Sequence, residues 1–106
     1  MRFANLHGHT SGSVLDAIIK LPELFDRAKQ IGYQAIAVTD HGNMSQIYQA
    51  YKESKRTGVK LIPGNEIYFV EDLSNPKSKR RHLVLLAQNH QGYKNLCRIT
   101  YEGFKN

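Results

Sequence analysis

The stretch "AIAVTDHGN", residues 35–43, decides the fold. Residues 35–39 form a short, almost wholly apolar run, which is typical of a strand buried on both faces of a parallel sheet. Asp40 and His41 follow this run directly. In parallel α/β folds, functional groups cluster where strands end and helices begin. The stretch therefore predicts both a buried strand and a polar site at the end of that strand.

Segments with strand and helix patterns alternate on both sides of this stretch. Further strands are predicted over 2–7, 59–63, 66–70 and 82–87, and helices over 21–32, 44–58 and 90–104. The segment 66–70 either extends the strand before it or forms a short separate one. This alternation predicts an α/β architecture with a largely parallel sheet. Right-handed crossovers would place the first two helices on one face of the sheet, as at the opening of a barrel, and would leave an edge strand exposed.

Each predicted helix has an apolar face. Pro22 suits the first turn of the first helix, Gly32 suits the position after its end, and Gly58 ends the second helix. The residues predicted to face the core are Leu21, Leu24, Phe25, Ala28, Met44, Ile47, Tyr48, Tyr51, Tyr93, Leu96 and Cys97, with Thr100 and Tyr101 as further candidates. Tyr48, Tyr51 and Tyr93 are interpreted as core side chains rather than as stacking surfaces. Cys97 is interpreted as a small buried hydrophobe.

Length and composition indicate one small globular domain. The chain has 106 residues, of which 41% are apolar. Its single cysteine, Cys97, leaves no intramolecular disulfide and favours a reducing, cytoplasmic setting. No run approaches the ~18 apolar residues of a membrane span, and the N-terminus lacks an apolar signal-peptide region, so no membrane partner is expected.

The charge balance is basic. A formal net charge of +6 favours an anionic partner such as nucleic acid or a phosphate ester. Part of the excess lies in "PKSKRR", where Lys77, Lys79, Arg80 and Arg81 are weak candidates for holding substrate phosphate. A basic run of this length is more often a solvated loop than a specific site, so a merely basic surface remains the alternative.

Side chains with metal-binding chemistry follow three successive strands. His7 and His9 lie at or just past the end of the first predicted strand, and residues i and i+2 of an extended chain point to the same side. His41 follows the second strand and Glu66 the third, while Asp16 lies in the loop before the first helix. Zinc, manganese and iron sites use such imidazole and carboxylate ligands from several elements. The sequence therefore predicts a divalent metal site at one edge of the sheet.

His82 begins the run "HLVLLA", residues 82–87. The beginning of a parallel strand would place this histidine at the wrong end of the sheet. A hairpin removes the difficulty, because His82 falls near Glu66 if 66–70 runs outward and 82–87 runs back. An antiparallel hairpin is therefore the hypothesis for this segment.

Each of these residues also has an ordinary structural interpretation when taken singly. An isolated H-x-H pair is usually a surface or structural feature, and "TDHG" is compatible with a helix cap made by Asp40 or Asn43. Glu66 alone is compatible with a solvated charge, His82 with a hydrogen-bonded core histidine and His90 with a helix-start residue. The combination favours the metal site, because several elements would each have to place such a residue correctly by accident.

Five stretches of the chain resemble the PHP (polymerase and histidinol phosphatase) domain family. They are "LHGHTSGSVLDA" (6–17), "AIAVTDHGNM" (35–44), "GNEIYF" (64–69), "HLVLLAQNHQGYKNLCRIT" (82–100) and "GF" (103–104). They come in the family's order and cover almost the whole chain. The second and fourth are similar to the branch found at the N-terminus of bacterial DNA polymerase III α subunits rather than to free-standing histidinol phosphatases.

The resemblance implies a distorted β/α barrel, with helices outside and a cluster of up to three zinc, manganese or iron ions. The metal ligands that it implies are His7, His9, Asp16, His41, Glu66 and His82. Glu66 is expected to bridge two ions and Asp40 to support His41, so these two carboxylates are the candidate catalytic residues.

The resemblance also implies an activity. In active members of the family, the cluster activates a water molecule that attacks phosphorus. In polymerase-linked members this is a phosphoesterase that proofreads DNA as a 3′–5′ exonuclease, whereas in other members the domain is a non-catalytic structural and subunit-binding module. The implied partners are DNA or a phosphate ester, together with the rest of a polymerase subunit or another chain that completes the barrel.

The family domain extends beyond residue 106. Residues 1–106 are therefore expected to be the N-terminal portion of a single, incomplete PHP domain, without the later ligands or any polymerase segment. A fragment of a longer subunit, one piece of a split protein and a reduced, phage-type protein are all compatible with this expectation. A homo-oligomer is one way in which the barrel would be closed.

Overall fold

A computed structural model describes residues 3–13 and 19–105 of the chain. Its elements are β1 (Ala4–Asn5), α1 (Leu21–Ile31), β2 (Ala35–Val38), α2 (Ile47–Thr57), β3 (Lys60–Phe69), β4 (Arg81–Leu86) and α3 (His90–Lys105). The predicted alternation of strands and helices is confirmed. None of the helices in this described part is long and apolar enough to cross a membrane.

The four strands form one sheet in the order β1-β2-β3-β4. β1, β2 and β3 are parallel neighbours, and β4 pairs antiparallel with β3. The segments 59–63 and 66–70, left open as one strand or two, belong to the single strand β3. The first strand is shorter than predicted, since the described pairing covers only Ala4–Asn5. The sheet is therefore largely parallel, as the sequence predicts, with a hairpin at one edge.

The core lies between the helices and one face of the sheet. α1 begins with Pro22 in its first turn, and Gly32 adopts the left-handed conformation at its end. Its apolar stripe and that of α2 pack against the same face of β2, as right-handed crossovers require. The buried cluster consists of Leu21, Phe25, Ala28, Ile36, Val38, Ile47, Ala50 and Val59.

The predicted inner face of α2 is partly wrong. The helix begins at Ile47 rather than at residue 44, and Ile47 and Ala50 occupy its buried positions. Tyr48 and Tyr51 are 67% and 52% exposed. The physical reason is the helical phase: a stripe that runs through Ile47 and Ala50 rotates both tyrosines away from β2.

The predicted inner face of α3 is correct for Tyr93, which packs against the core, and for Leu96 and Thr100. Leu96 is buried, and the Thr100 hydroxyl accepts a hydrogen bond of 2.7 Å from the Asn65 side chain on β3. Cys97 is half-buried rather than buried, and Tyr101 is exposed. Leu96 and Thr100 are one helical turn apart, so Cys97 and Tyr101, which follow them in sequence, are rotated away from the buried face.

The loop after β1 is tied to the end of β2 by polar contacts. The carboxylate of Asp40, which is buried, accepts hydrogen bonds from the Thr10 backbone amide, the Thr10 hydroxyl and the Ser13 hydroxyl. The Ser13 hydroxyl in turn accepts from the His41 amide at 3.0 Å, and the Thr39 amide donates to the Gly8 carbonyl at 2.7 Å. These bonds fix the backbone that carries His7 and His9.

Replacing Asp40 with asparagine tests this anchor. We expect Asp40→Asn to lower the free energy of unfolding by about 1.5–3 kcal/mol, because charged hydrogen bonds are lost and a buried NH₂ group then faces a donor. Urea denaturation followed by circular dichroism measures the change. The matched control is Asp26→Asn on the exposed side of α1, where an ion pair with Arg56 is worth at most about 1 kcal/mol. Equal losses in the two variants would contradict the anchoring role.

A second substitution tests the close packing around Gly64. This glycine lies on β3, between the end of β2 and the neighbouring strand β4. A Cβ atom there would lie 2.7 Å from Thr39 Cγ2 and 2.8 Å from the Leu85 carbonyl oxygen. We expect Gly64→Ala to cost about 1–3 kcal/mol of unfolding free energy through overpacking. The control Gly103→Ala lies in α3 with no neighbouring atom within 4 Å of its Cβ position, and it should stabilise by about 0.5–1 kcal/mol. Stabilisation by both changes in thermal unfolding would refute the constraint.

Candidate metal centre

A single buried carboxylate, that of Glu66 on β3, lies at the centre of the site. Only 5% of Glu66 is exposed. Its Oε2 atom contacts His9 Nε2 and lies 2.7 Å from His7 Nε2, while its Oε1 atom lies 2.9 Å from His82 Nδ1. His41 Nδ1 is 3.8 Å from Oε2. Four predicted histidine ligands thus face the predicted carboxylate ligand Glu66.

Strand pairing explains how His41 and Glu66 meet. Beyond the last paired residues of β2, the parallel ladder continues as an isolated bridge between His41 and Glu66. The Glu66 amide donates to the Asp40 carbonyl at 3.1 Å, and the Gly42 amide donates to the Glu66 carbonyl at 2.9 Å. Glu66 thus lies within β3 rather than after the third strand as predicted, and backbone bonds bring it level with His41, which follows β2.

The hairpin hypothesis for His82 is confirmed. β3 and β4 are antiparallel, with Tyr68 opposite His82 and Glu66 opposite Val84. Glu66 and Tyr68 are two residues apart on one strand, so their side chains share a face, and His82 joins that face through its pairing with Tyr68. An antiparallel return strand is what delivers the start of β4 to the carboxyl ends of the parallel strands.

The four imidazoles make a row of successive contacts in the order His7, His9, His41 and His82. The ring centroids of His9 and His41 are 4.1 Å apart, and those of His41 and His82 are 5.7 Å apart. The side chains of His9 and His41 are 20% and 29% exposed, whereas those of His7 and His82 are more than half exposed. The carboxylate thus forms the floor of the site, and the more exposed histidines form its rim.

The environment of Glu66 keeps it ionised. Burial raises the pKa of its carboxyl, but hydrogen bonds with His7 and His9 and electrostatic attraction from His41 and His9 outweigh burial and lower this pKa from 4.5 to about 2. The carboxylate is therefore charged throughout the neutral range, which is the state that a metal ligand requires.

The donor set fits a divalent metal ion. One ligand atom from each of His7, His9 and Glu66 lies within 4.8 Å of the other two. Metal–ligand bonds of about 2 Å place neighbouring ligand atoms at such separations. Imidazole with carboxylate suits zinc, iron and manganese.

The remaining predicted site residues lie in different places. Asp16 is outside the described residues. The Asp40 carboxylate is turned toward Thr10 and Ser13, where it positions the loop. The four basic residues are exposed in the connection between β3 and β4 and at the start of β4; they are Lys77, Lys79, Arg80 and Arg81.

Several polar residues that support the site were missed from the sequence. Thr10, Ser13 and Thr39 hold the loop backbone, and the Asn43 side chain donates to the Gly12 carbonyl at 3.0 Å. The run "HTSGS" after the histidine pair carries a usable signal, because closely spaced hydroxyls next to a sharp turn commonly bond a nearby carboxylate or backbone group.

Comparison with known proteins adds the family. The profile of the PHP domain matches residues 5–106. The DNA polymerase III subunit alpha of Borreliella burgdorferi is 39% identical over 113 residues, which cover 97% of this chain and 10% of that protein. The corresponding subunit of Helicobacter pylori strain 26695 is 43% identical over 109 residues, covering 96% of this chain and 9% of the relative. The chain thus spans about a tenth of the length of these curated relatives.

Solved structures share the fold. A protein from Bifidobacterium adolescentis assigned as a metal-dependent phosphoesterase superposes with a TM-score of 0.67 at 21% identity, over 90% of this chain and 32% of that one. An amidohydrolase from Chromobacterium violaceum with bound sulfate superposes with a TM-score of 0.64 at 24% identity, over 91% of this chain and 32% of that one. At these identities the likeness concerns the α/β architecture. The profile match over nearly all residues carries the assignment, and the chain belongs to the PHP domain family.

Proposed function

We propose that this chain binds divalent metal ions at Glu66 and its surrounding histidines, and that the loaded site hydrolyses phosphate esters at the 3′ end of DNA. One observation carries the proposal. A buried, ionised carboxylate faces imidazoles that arrive from the ends of different strands. Such convergence costs desolvation of the carboxylate, and a structural role for Glu66 would not require it.

The two oxygens of Glu66 divide the ligands into two groups. His7 and His9 contact Oε2, whereas His82 contacts Oε1. Because imidazoles approach both oxygens of Glu66, His7 and His9 would hold one ion with this carboxylate, and His82 would help to hold another. His41 lies between the groups by its ring contacts. Asp16 stays a predicted further ligand, and zinc, manganese and iron are the ions that this donor set favours.

The residues of the chain have distinct tasks in this proposal. When bound, the metal ions supply a water nucleophile of lowered pKa and neutralise charge on the phosphate. Glu66 and the histidines would orient these ions. The exposed sides of His7 and His82 would leave access for a substrate. Asp40 keeps the loop with His7 and His9 in place through Thr10 and Ser13. It acts as a positioning residue.

DNA is the substrate class that we favour. The net charge is +6, and four exposed cations lie at the hairpin next to His82. The relatives carry this region inside a polymerase subunit about ten times longer, so the rest of such a subunit is the partner we propose. The alternative, a non-catalytic module, gives no reason for four histidines to surround the buried carboxylate of Glu66.

Metal content tests the site directly. We expect the protein, purified without chelator or histidine tag, to hold at least one zinc, manganese or iron ion per chain by elemental mass spectrometry. Glu66→Gln should lower metal affinity at least about tenfold, because a charged ligand becomes a neutral amide. Glu71→Gln removes an exposed carboxylate from the hairpin and is the control. Identical metal content in the wild type and in Glu66→Gln would refute the assignment.

Activity is tested on the 3′ end of a single-stranded oligonucleotide with the metal-loaded protein. We expect His9→Ala to reduce the rate of nucleotide release by about 10- to 100-fold, because it removes a candidate ligand next to Glu66. His90→Ala makes the same chemical change at the exposed start of α3 and should leave the rate unaltered. Equal rates in wild type and His9→Ala would mean that the nuclease activity belongs to a contaminant.

A further inference from the structure

Tyr68 is a large aromatic residue at the metal centre that the proposed chemistry does not use. It lies on β3 two residues beyond Glu66 and directly opposite His82 in the hairpin. Its ring centroid is 4.9 Å from that of His82, at an interplanar angle of 63°. The ring of Tyr68 therefore adjoins the rim of the site.

Packing does not account for this residue. Tyr68 is 59% exposed, and it is not a member of the buried core cluster or of the half-buried side chains packed on that cluster. Placing a large aromatic ring in water gains little for folding. An exposed aromatic side chain next to a reactive centre is instead typical of a binding surface.

An open cavity of about 470 Å³ adjoins the ring. Tyr68 lines this cavity and also adjoins His82, so the cavity begins next to the rim of the metal centre. Arg80 and Glu102 contribute one cation and one carboxylate to its wall, and Leu73 and Phe104 contribute apolar surface. A wall that combines an aromatic ring with apolar side chains suits a flat, apolar group.

We propose that Tyr68 stacks on the base of the nucleotide whose phosphate lies at the metal centre. The inference rests on the proposed phosphoesterase function and adds its specificity. A nucleobase would occupy the cavity beside Tyr68, while its phosphate would lie at the metal centre next to His82. The site would then select DNA ends that carry a base over phosphate esters that lack one, with little preference among the bases, because every base has a π face.

The test compares two oligonucleotides of thymidines that differ only at the 3′ end. One ends in a normal nucleotide and the other in an abasic tetrahydrofuran residue. Binding is measured by fluorescence anisotropy and hydrolysis by kcat/KM, both with the metal-loaded protein. We expect the wild type to favour the base-carrying end by roughly 5- to 140-fold, which is the range of stacking on one aromatic side chain.

Variants of Tyr68 test whether this residue causes the preference for the base-carrying end. Tyr68→Ala should bring the ratio close to one, mainly through KM, while Tyr68→Phe keeps the ring and should keep the ratio. Tyr51→Ala removes a similarly exposed tyrosine from α2 and should also keep it. Metal content should be unchanged in all three variants.

Three outcomes would overturn the proposal, and they are distinguishable. Equal binding and hydrolysis of both ends by the wild type would refute the stacking role of Tyr68. The proposed phosphoesterase function would be unaffected by this result. Loss of metal from Tyr68→Ala would show that Tyr68 merely supports His82. A metal-loaded wild type that neither binds nor cuts either end would remove the proposed function, and the stacking role with it.

Discussion

The buried carboxylate of Glu66 is the constraint on which the rest of the structure depends. Removing such a charge from water is expensive unless it is paired, and here the pairing comes from histidines that follow β1, begin β4 and extend the β2 ladder. A slip of one residue in the pairing of β3 would turn Glu66 to the opposite face and leave these imidazoles without it. Sheet register and site geometry are therefore a single requirement, satisfied together or not at all.

Two buried carboxylates, those of Glu66 and Asp40, have different surroundings at this edge of the sheet. Glu66 faces imidazoles, whereas Asp40 faces two hydroxyls and a backbone amide. The second arrangement carries no metal-binding chemistry of its own, but it fixes the chain between His7 and Ser13. A site whose ligands lie on a loop needs such support, because a shift of one ångström is enough to spoil a ligand set.

Much of the fold and most of the site were predictable, and the failures have physical causes. The hairpin that brings His82 to Glu66 follows from where a strand end must lie, without any knowledge of packing. The inner faces of the helices were harder, because Tyr48, Tyr51 and Tyr101 count as apolar in a sequence pattern and yet lie at the surface. Tyrosine is compatible with either position. Asp40 was expected to support His41, and sequence spacing could not tell that its carboxylate turns to Thr10 and Ser13.

The sequence by itself determined the order of strands and helices, the apolar stripes through Phe25 and Leu96, and the chemical identity of the candidate ligands, since these depend on local patterns of residue type. Only the tertiary structure decided which atoms meet. The contacts of His7 and His9 with one oxygen of Glu66, and of His82 with the other, depend on strand register across as many as 59 residues of chain. The exposure of Tyr68 beside His82 was decided in the same way. Register is set by backbone pairing between distant segments, and no local pattern encodes it.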